Sequence, residues 1–202
     1  MTDPRPIRVL FLCTHNSARS ILAEACLNHL GQGRWQAFSA GSSPRPGQQP
    51  HALALAALQE AGIATAGLRS KNWDAFAGPD APPMDLIITV CDNAAGEVCP
   101  IWPGHPATAH WAYADPSEGN AGPPQVSLLP SGGGLSEAQT RGQLGDDGSP
   151  EQRLARFRNT LQAIRSRLEA LLAASATLGA GAGAAKLDGL QLAQTARRLA
   201  QS

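Results

Sequence analysis

Apolar runs and helical spacings alternate along the first hundred residues. Residues 7–13 form a nearly continuous apolar stretch rich in branched side chains, with Pro4 and Pro6 ahead of it and polar residues behind it. Such a run fits a strand buried on both faces. Over 17–30 the period changes: Ile21, Leu22, Ala25, Cys26 and Leu30 recur at helical intervals, and Gly31 follows as a stop signal. The alternation continues with a short strand over 35–40, an Ala/Leu-rich helix over 50–61 ended by Gly62, a strand over 84–90 and a fourth over 107–112. Strands alternating with helices predict an α/β fold, a parallel sheet covered on both faces, with ligand sites beyond the carboxyl ends of the strands. Cys13 and Cys91 both fall at such ends.

The second half reads differently. Residues 119–150 are dense in Gly, Pro, Ser and Gln and lack a sustained period, which predicts a long flexible loop. Leu154, Phe157, Leu161, Ile164, Leu168 and Leu171 then recur every three or four residues, so 151–174 reads as an amphipathic helix that closes the core. An Ala/Gly linker over 176–186 and a weaker helical pattern over 187–200 follow. The expected organisation is one domain over 1–175, with 119–150 as a flexible insertion, and an accessory helical tail over 176–202.

Charge narrows the partners. Lys and Arg number 16 and Asp and Glu also 16, so no net positive field draws the chain to nucleic acid or an anionic membrane. A small-molecule substrate fits better. The start of the chain carries neither a signal-peptide pattern nor a spanning segment, so a soluble, cytoplasmic monomer is expected. Four cysteines, Cys13, Cys26, Cys91 and Cys99, then suggest redox or catalytic chemistry rather than a disulfide framework.

The chemistry concentrates first in Cys13, Thr14, His15, Asn16, Ser17, Ala18, Arg19 and Ser20, between a buried strand and a helix start. Backbone N–H groups and the positive helix end converge there, a cradle suited to a tetrahedral oxyanion. Five residues separate Cys13 from Arg19, which lets a loop wrap one anion with the sulfur beneath it and a forked guanidinium at its oxygens. The same donors favour thiolate at Cys13 and reactivity near neutrality. Ser20 is placed to donate a hydrogen bond to that thiolate, and Asn16 tolerates the left-handed turn such a loop needs. The alternative is a packed core cysteine beside a surface arginine.

The run from Phe11 to Glu24 resembles the phosphate loop of the low-molecular-weight tyrosine phosphatases and of the arsenate reductases that share their fold. The resemblance covers roughly residues 7–116 and the helix from 151. It implies a three-layer sandwich around a four-stranded parallel sheet. It also assigns Thr14 through Ser20 to oxyanion binding and gives Asp115, followed by Pro116, the general-acid position.

A second segment, residues 89–100, places Cys91 and Cys99 just beyond a strand end, and it is similar to the redox segment of the arsenate reductases, as is the stretch 102–106 that follows. A phosphatase needs neither thiol. The resemblance therefore implies arsenate as substrate, with phosphate or sulfate as competing oxyanions. Cys13 would attack arsenic, Cys91 would attack the Cys13 sulfur, and Cys99 would resolve Cys91. No bound cofactor or metal is expected, only an external thiol reductant. Seven residues lie between Cys91 and Cys99, one more than in the best-known thioredoxin-linked members. The reductant stays open between thioredoxin and glutathione or mycothiol with a glutaredoxin-like partner. The alternative function is a phosphotyrosine phosphatase using Cys13, Arg19 and Asp115. Ser117 stands where many phosphatases carry tyrosine, which argues against an aromatic phosphoester.

Three further readings complete the picture. Glu24, Asn16 and Ser39 resemble a monovalent-cation site of some related reductases, although Glu24 also fits a solvated helix position. Cys26 falls on the apolar side of its helix and reads as packing. His15, His105 and His110 lack the paired spacing of a zinc site.

Overall fold

The apolar run at the start becomes β1 (Ile7–Cys13), an interior strand of a four-stranded sheet in the computed structural model, which describes residues 5–96, 102–118, 148–181 and 189–201. The chain continues through α1 (Arg19–Gly31), β2 (Trp35–Gly41), α2 (Ala52–Glu60), a 3₁₀ turn (Trp73–Phe76), β3 (Leu86–Thr89), α3 (Asp92–Gly96) and β4 (Ala107–His110). Two longer helices follow, α4 (Pro150–Gly181) and α5 (Gly189–Ala200). The strand order is β2-β1-β3-β4, all parallel. The alternating pattern thus folds as expected, with element ends shifted by a few residues where capping rather than periodicity sets the boundary.

Because side chains alternate along a strand, β1 feeds both faces of the sheet. Val9, Phe11 and Cys13 join Ile21, Leu22, Phe157, Ile164 and Leu168 on the face covered by α1 and α4. Leu10 and Leu12 turn to the other face, where Phe76, Met84, Ile87 and Trp102 cover them. Each large side chain buried in this way contributes about 1.5–3 kcal/mol. Burial of both faces also explains why residues 9–12 tolerate no polar position.

The register carries the consequence for function. Cys13 is paired with Gly41, and Leu12 with Thr89, so the carboxyl ends of β1, β2 and β3 finish side by side. The ladder runs on for one more bond, from Val90 N–H to the Leu12 carbonyl at 2.7 Å. Cys91 is thereby delivered next to the loop that leaves β1.

The carboxyl half departs from the sequence reading. The amphipathic helix does not stop near 174 but runs to Gly181, into the stretch read as linker. The tail read as accessory carries α5, whose Leu192, Ala193 and Ala196 are fully buried in the main core against β4. The Trp111 indole donates to the Ala196 carbonyl at 2.9 Å, and Arg197 Nε donates to the Thr108 carbonyl at 2.9 Å. The helical tail expected after 175 thus packs on the sheet edge. The expected loop over 119–150 lies outside the described residues apart from its last three positions, 148–150. Among the described residues no helix is long and apolar enough to cross a membrane.

Candidate functional site

The loop from Cys13 to Ser20 is shaped by one left-handed residue. Asn16 has φ of 50°, a conformation that asparagine adopts at lower steric cost than most non-glycine residues. Helix α1 starts at Arg19, and Ala18 before it offers no side-chain cap, so the first-turn N–H groups are left to the loop, with Ser20 N–H serving the Cys13 sulfur. The loop is held from outside by Ser42 N–H on the Cys13 carbonyl at 3.1 Å, Ser43 N–H on the Thr14 carbonyl at 2.8 Å, and His51 N–H on the Ser17 carbonyl at 2.8 Å.

Cys13 lies at the floor, only 3% exposed, with its sulfur 2.9 Å from Ser20 Oγ. Burial pushes the Cys13 thiol up, against the downward pull of the Ser20 hydroxyl and of the Ser20 and Asn16 backbone N–H groups. Nearby Cys91 adds to the upward push. The expectation of a lowered thiol is therefore not met, because desolvation of the sulfur outweighs the donors around it. Cys26 lies in the core of α1 with its thiol pushed up to about 11, chiefly by burial, in keeping with packing.

Arg19 and Asp115 meet across the loop. Arg19 Nη2 lies 2.6 Å from Asp115 Oδ2, and Nη1 donates to the Tyr113 carbonyl at 3.0 Å. The fork that sequence alone aims at an anion is thus engaged by the segment following β4. The other Asp115 oxygen accepts Ser117 N–H at 2.9 Å and the Ser117 hydroxyl at 2.6 Å. Burial raises the Asp115 carboxyl, but the two Ser117 bonds, Arg19 and His15 together bring it below its ordinary value. Thr14, His15 and Ser17 are half-buried along the loop, and Ala18 is buried at its end.

Cys91 completes the cluster from the neighbouring strand. It is 2% exposed, 3.6 Å from Thr14 Oγ1, and accepts Ala94 N–H at 3.4 Å. Beside it, His110 bridges Thr89 Oγ1 at 2.8 Å and Asp92 Oδ1 at 3.0 Å, so the residues flanking Cys91 are tied to β4. Cys99 lies outside the described residues. The structure thus brings together Cys13, Asn16, Ser20 and Cys91, with Arg19 and Asp115 joined above them.

Sequence reasoning missed two supports. At Gly41 an added Cβ would lie 2.6 Å from the Thr14 carbonyl oxygen, so only glycine lets β2 approach the loop this closely. Lys71 ties the loop through its main chain, with Lys71 N–H donating to Asn16 Oδ1 at 2.7 Å and Gly41 N–H donating to the Lys71 carbonyl at 2.8 Å. The only sequence hint of either was Gly41 closing a strand that should end level with Cys13.

Comparison with known proteins agrees with this architecture. Residues 8–121 match the family model described as low molecular weight phosphotyrosine protein phosphatase. A protein named arsenate reductase from Bacillus licheniformis is 39% identical over 112 residues, 54% of this chain and 74% of that protein. Its namesake in Bacillus subtilis is 35% identical over 109 residues, 54% of this chain and 73% of that protein. Among solved structures, an arsenate reductase from Archaeoglobus fulgidus is 25% identical with a TM-score of 0.52, covering 82% of this chain and 98% of its own. A low molecular weight phosphotyrosine phosphatase from Vibrio cholerae, 22% identical with a TM-score of 0.54 over 86% of this chain and 99% of its own, shares the fold. With more than half its length matched by the family model, the chain belongs to the low molecular weight phosphotyrosine protein phosphatase family.

Proposed function

We propose that this enzyme reduces arsenate to arsenite, using Cys13 as nucleophile and Cys91 as the second thiol. The oxyanion sits on the backbone N–H groups of residues 14–20, with Arg19 turning from Asp115 to its oxygens. The Cys13 thiolate attacks arsenic, a Cys13–arsenic bond forms and one arsenic oxygen leaves as water after protonation. Cys91 thiolate then attacks the Cys13 sulfur. A Cys13–Cys91 bond forms as the sulfur–arsenic bond breaks, and the electron pair of that bond stays on arsenic, which leaves as arsenite. Cys99 attacks the Cys91 sulfur in turn, freeing Cys13 and leaving a Cys91–Cys99 disulfide for an external reductant. Thioredoxin, or glutathione or mycothiol with a glutaredoxin-like partner, supplies the two electrons.

The observation that carries this reading is the second buried thiol at the rim of the loop, Cys91 at 3.6 Å from Thr14 Oγ1. A phosphatase has no step for it. The names of the bacterial relatives point the same way. The phosphatase reading draws on one observation, the Asp115 carboxylate paired with Arg19. Burial raises the Asp115 carboxyl and the Ser117 bonds and Arg19 bring it down, and a proton donor at this position would serve either chemistry, so the pair does not favour hydrolysis.

Cys91→Ser separates the readings. Arsenite release with thiol reductant should fall to background in Cys13→Ser and in Cys91→Ser, and mass mapping should find a trapped Cys13 adduct in the latter. Thiol-free hydrolysis of an aryl phosphate at equal rates in wild type and Cys91→Ser, without arsenate reduction in either, would instead establish the phosphatase.

A further inference from the structure

The candidate cation site of the sequence reading contains a lysine. The Lys71 ammonium lies 3.3 Å from Glu24 Oε2 and donates to the Arg69 carbonyl at 3.2 Å. Those are the carboxylate and carbonyl oxygens that a monovalent cation would need. Asn16 fits a cation no better. Its Oδ1 accepts Lys71 N–H, so its amide nitrogen, a donor, faces Ser39 and Ser20. The residues present do not fit a free monovalent ion.

From Glu24 a chain of side-chain hydrogen bonds leads inward to the nucleophile, and its direction follows from the donors available. An ionised carboxylate only accepts, so Ser39 Oγ donates its hydrogen to Glu24. Ser39 Oγ can then only accept, and takes Asn16 Nδ2–H at 2.8 Å. The second Nδ2–H of Asn16 goes to Ser20 Oγ at 2.9 Å. The one hydrogen of Ser20 is left for the Cys13 sulfur at 2.9 Å. Asn16, Ser20 and Ser39 are fully buried, so water does not compete for these bonds.

We propose that Lys71 is a positioning residue that takes the place of a monovalent cation, its tethered ammonium holding Glu24 ionised so that the chain Glu24–Ser39–Asn16–Ser20 presents a donor to Cys13. A protonated Glu24 could instead donate to Ser39, whose own hydrogen would then face the Asn16 Nδ2–H donor and oppose the amide orientation that feeds Ser20. Burial raises the Glu24 carboxyl, whereas Lys71, Ser39 and, more remotely, Arg69 oppose the rise. The inference rests on Cys13 being the nucleophile, but its test needs no arsenate turnover.

The test is the rate of Cys13 alkylation by iodoacetamide in the full-length reduced protein at pH 7, read by peptide mass in NaCl or KCl of equal ionic strength. Wild type should label at the same rate in both salts. Lys71→Ala should label about tenfold more slowly in NaCl, the effect of a shift of about one unit in the thiol, and recover in KCl as the ion enters the vacated place. Lys71→Arg should keep the wild-type rate in NaCl, and buried Cys26 should stay unlabelled in every folded variant. Stimulation of wild type by potassium would overturn the proposal. So would a wild-type rate in Lys71→Ala, equal slowing of that variant in both salts, or a slow Lys71→Arg if Lys71→Ala fails to fold. A failed arsenate assay would leave these rates standing, so the two readings fail separately.

Discussion

Gly41→Ala tests whether the loop owes its position to β2. The added Cβ would lie 2.6 Å from the Thr14 carbonyl oxygen, 2.9 Å from Asn16 N and 3.0 Å from the His15 carbonyl carbon. Carbon contacts settle near 3.5–4.0 Å, so the loop must retreat by roughly 1 Å. All three obstacles are backbone and none can rotate away. Overpacking of this kind costs about 1–3 kcal/mol, a fall in Tm of roughly 2–12 °C for a chain of this size. The catalytic loss should be larger in proportion. A 1 Å misplacement of reacting groups costs about 100-fold. Thermal melting and arsenate-reduction kcat/KM measure the two effects, with Gly78→Ala as control because its Cβ would meet nothing within 4 Å. A Gly41→Ala enzyme with wild-type Tm and wild-type turnover would refute the claim that β2 sets the loop.

Two other perturbations address the rim and the sheet edge. Asp115 has its carboxyl below the ordinary 3.8, so its contribution to stability is present above that value and lost as pH falls through the folded pKa. Asp115→Asn should therefore flatten the decline of Tm below about pH 4 relative to wild type. An unchanged acid limb would reject the Asp115 carboxylate, with its Ser117 bonds and its Arg19 pairing, as its source. Trp111→Phe removes the indole donor to the Ala196 carbonyl and leaves that acceptor buried, costing about 1–3 kcal/mol. Hydrogen exchange should quicken across residues 189–200, and unaltered protection there would mean that apolar packing alone holds α5.

How much of this could be read from the sequence depends on how local each determinant is. The β1 run and the spacing from Cys13 to Ser20 are contiguous, so strand, turn and helix start follow from residues that touch one another in sequence. Asn16 in the left-handed region and Ser20 at 2.9 Å from the sulfur are consequences of that local geometry. The rest depends on contacts across the fold. Gly41 matters because the register sets it against Cys13, and Lys71 matters because a parallel bridge beside Gly41 lays residues 71 and 72 along the loop. The helix over 187–200 was legible, but its docking was not, because a weak apolar stripe after an Ala/Gly stretch looks the same whether or not a sheet edge waits for it. The thiol of Cys13 went the other way from expectation for a related reason. Donors are visible in sequence, whereas the depth of burial that opposes them is set by α1 and α4 together.

The register also explains why one fold can serve two chemistries. Every member with this strand order must bring the end of β3 beside the loop after β1, whatever residue stands there. Here that residue is Cys91, tucked under α3 and flanked by Thr89 and Asp92, both bridged by His110. In the proposed thiol exchange Cys91, which faces Thr14 and Ala94, would carry the short turn Asp92–Gly96 with any movement toward Cys13. The bridge through His110 is the contact that such a shift must break or carry along. Hydrolysis would leave this strand end out of the reaction, whereas the proposed thiol exchange would use it. Under the proposed function the choice of reaction would lie in what occupies the end of β3 and how firmly it is held, with the loop after β1 common to both.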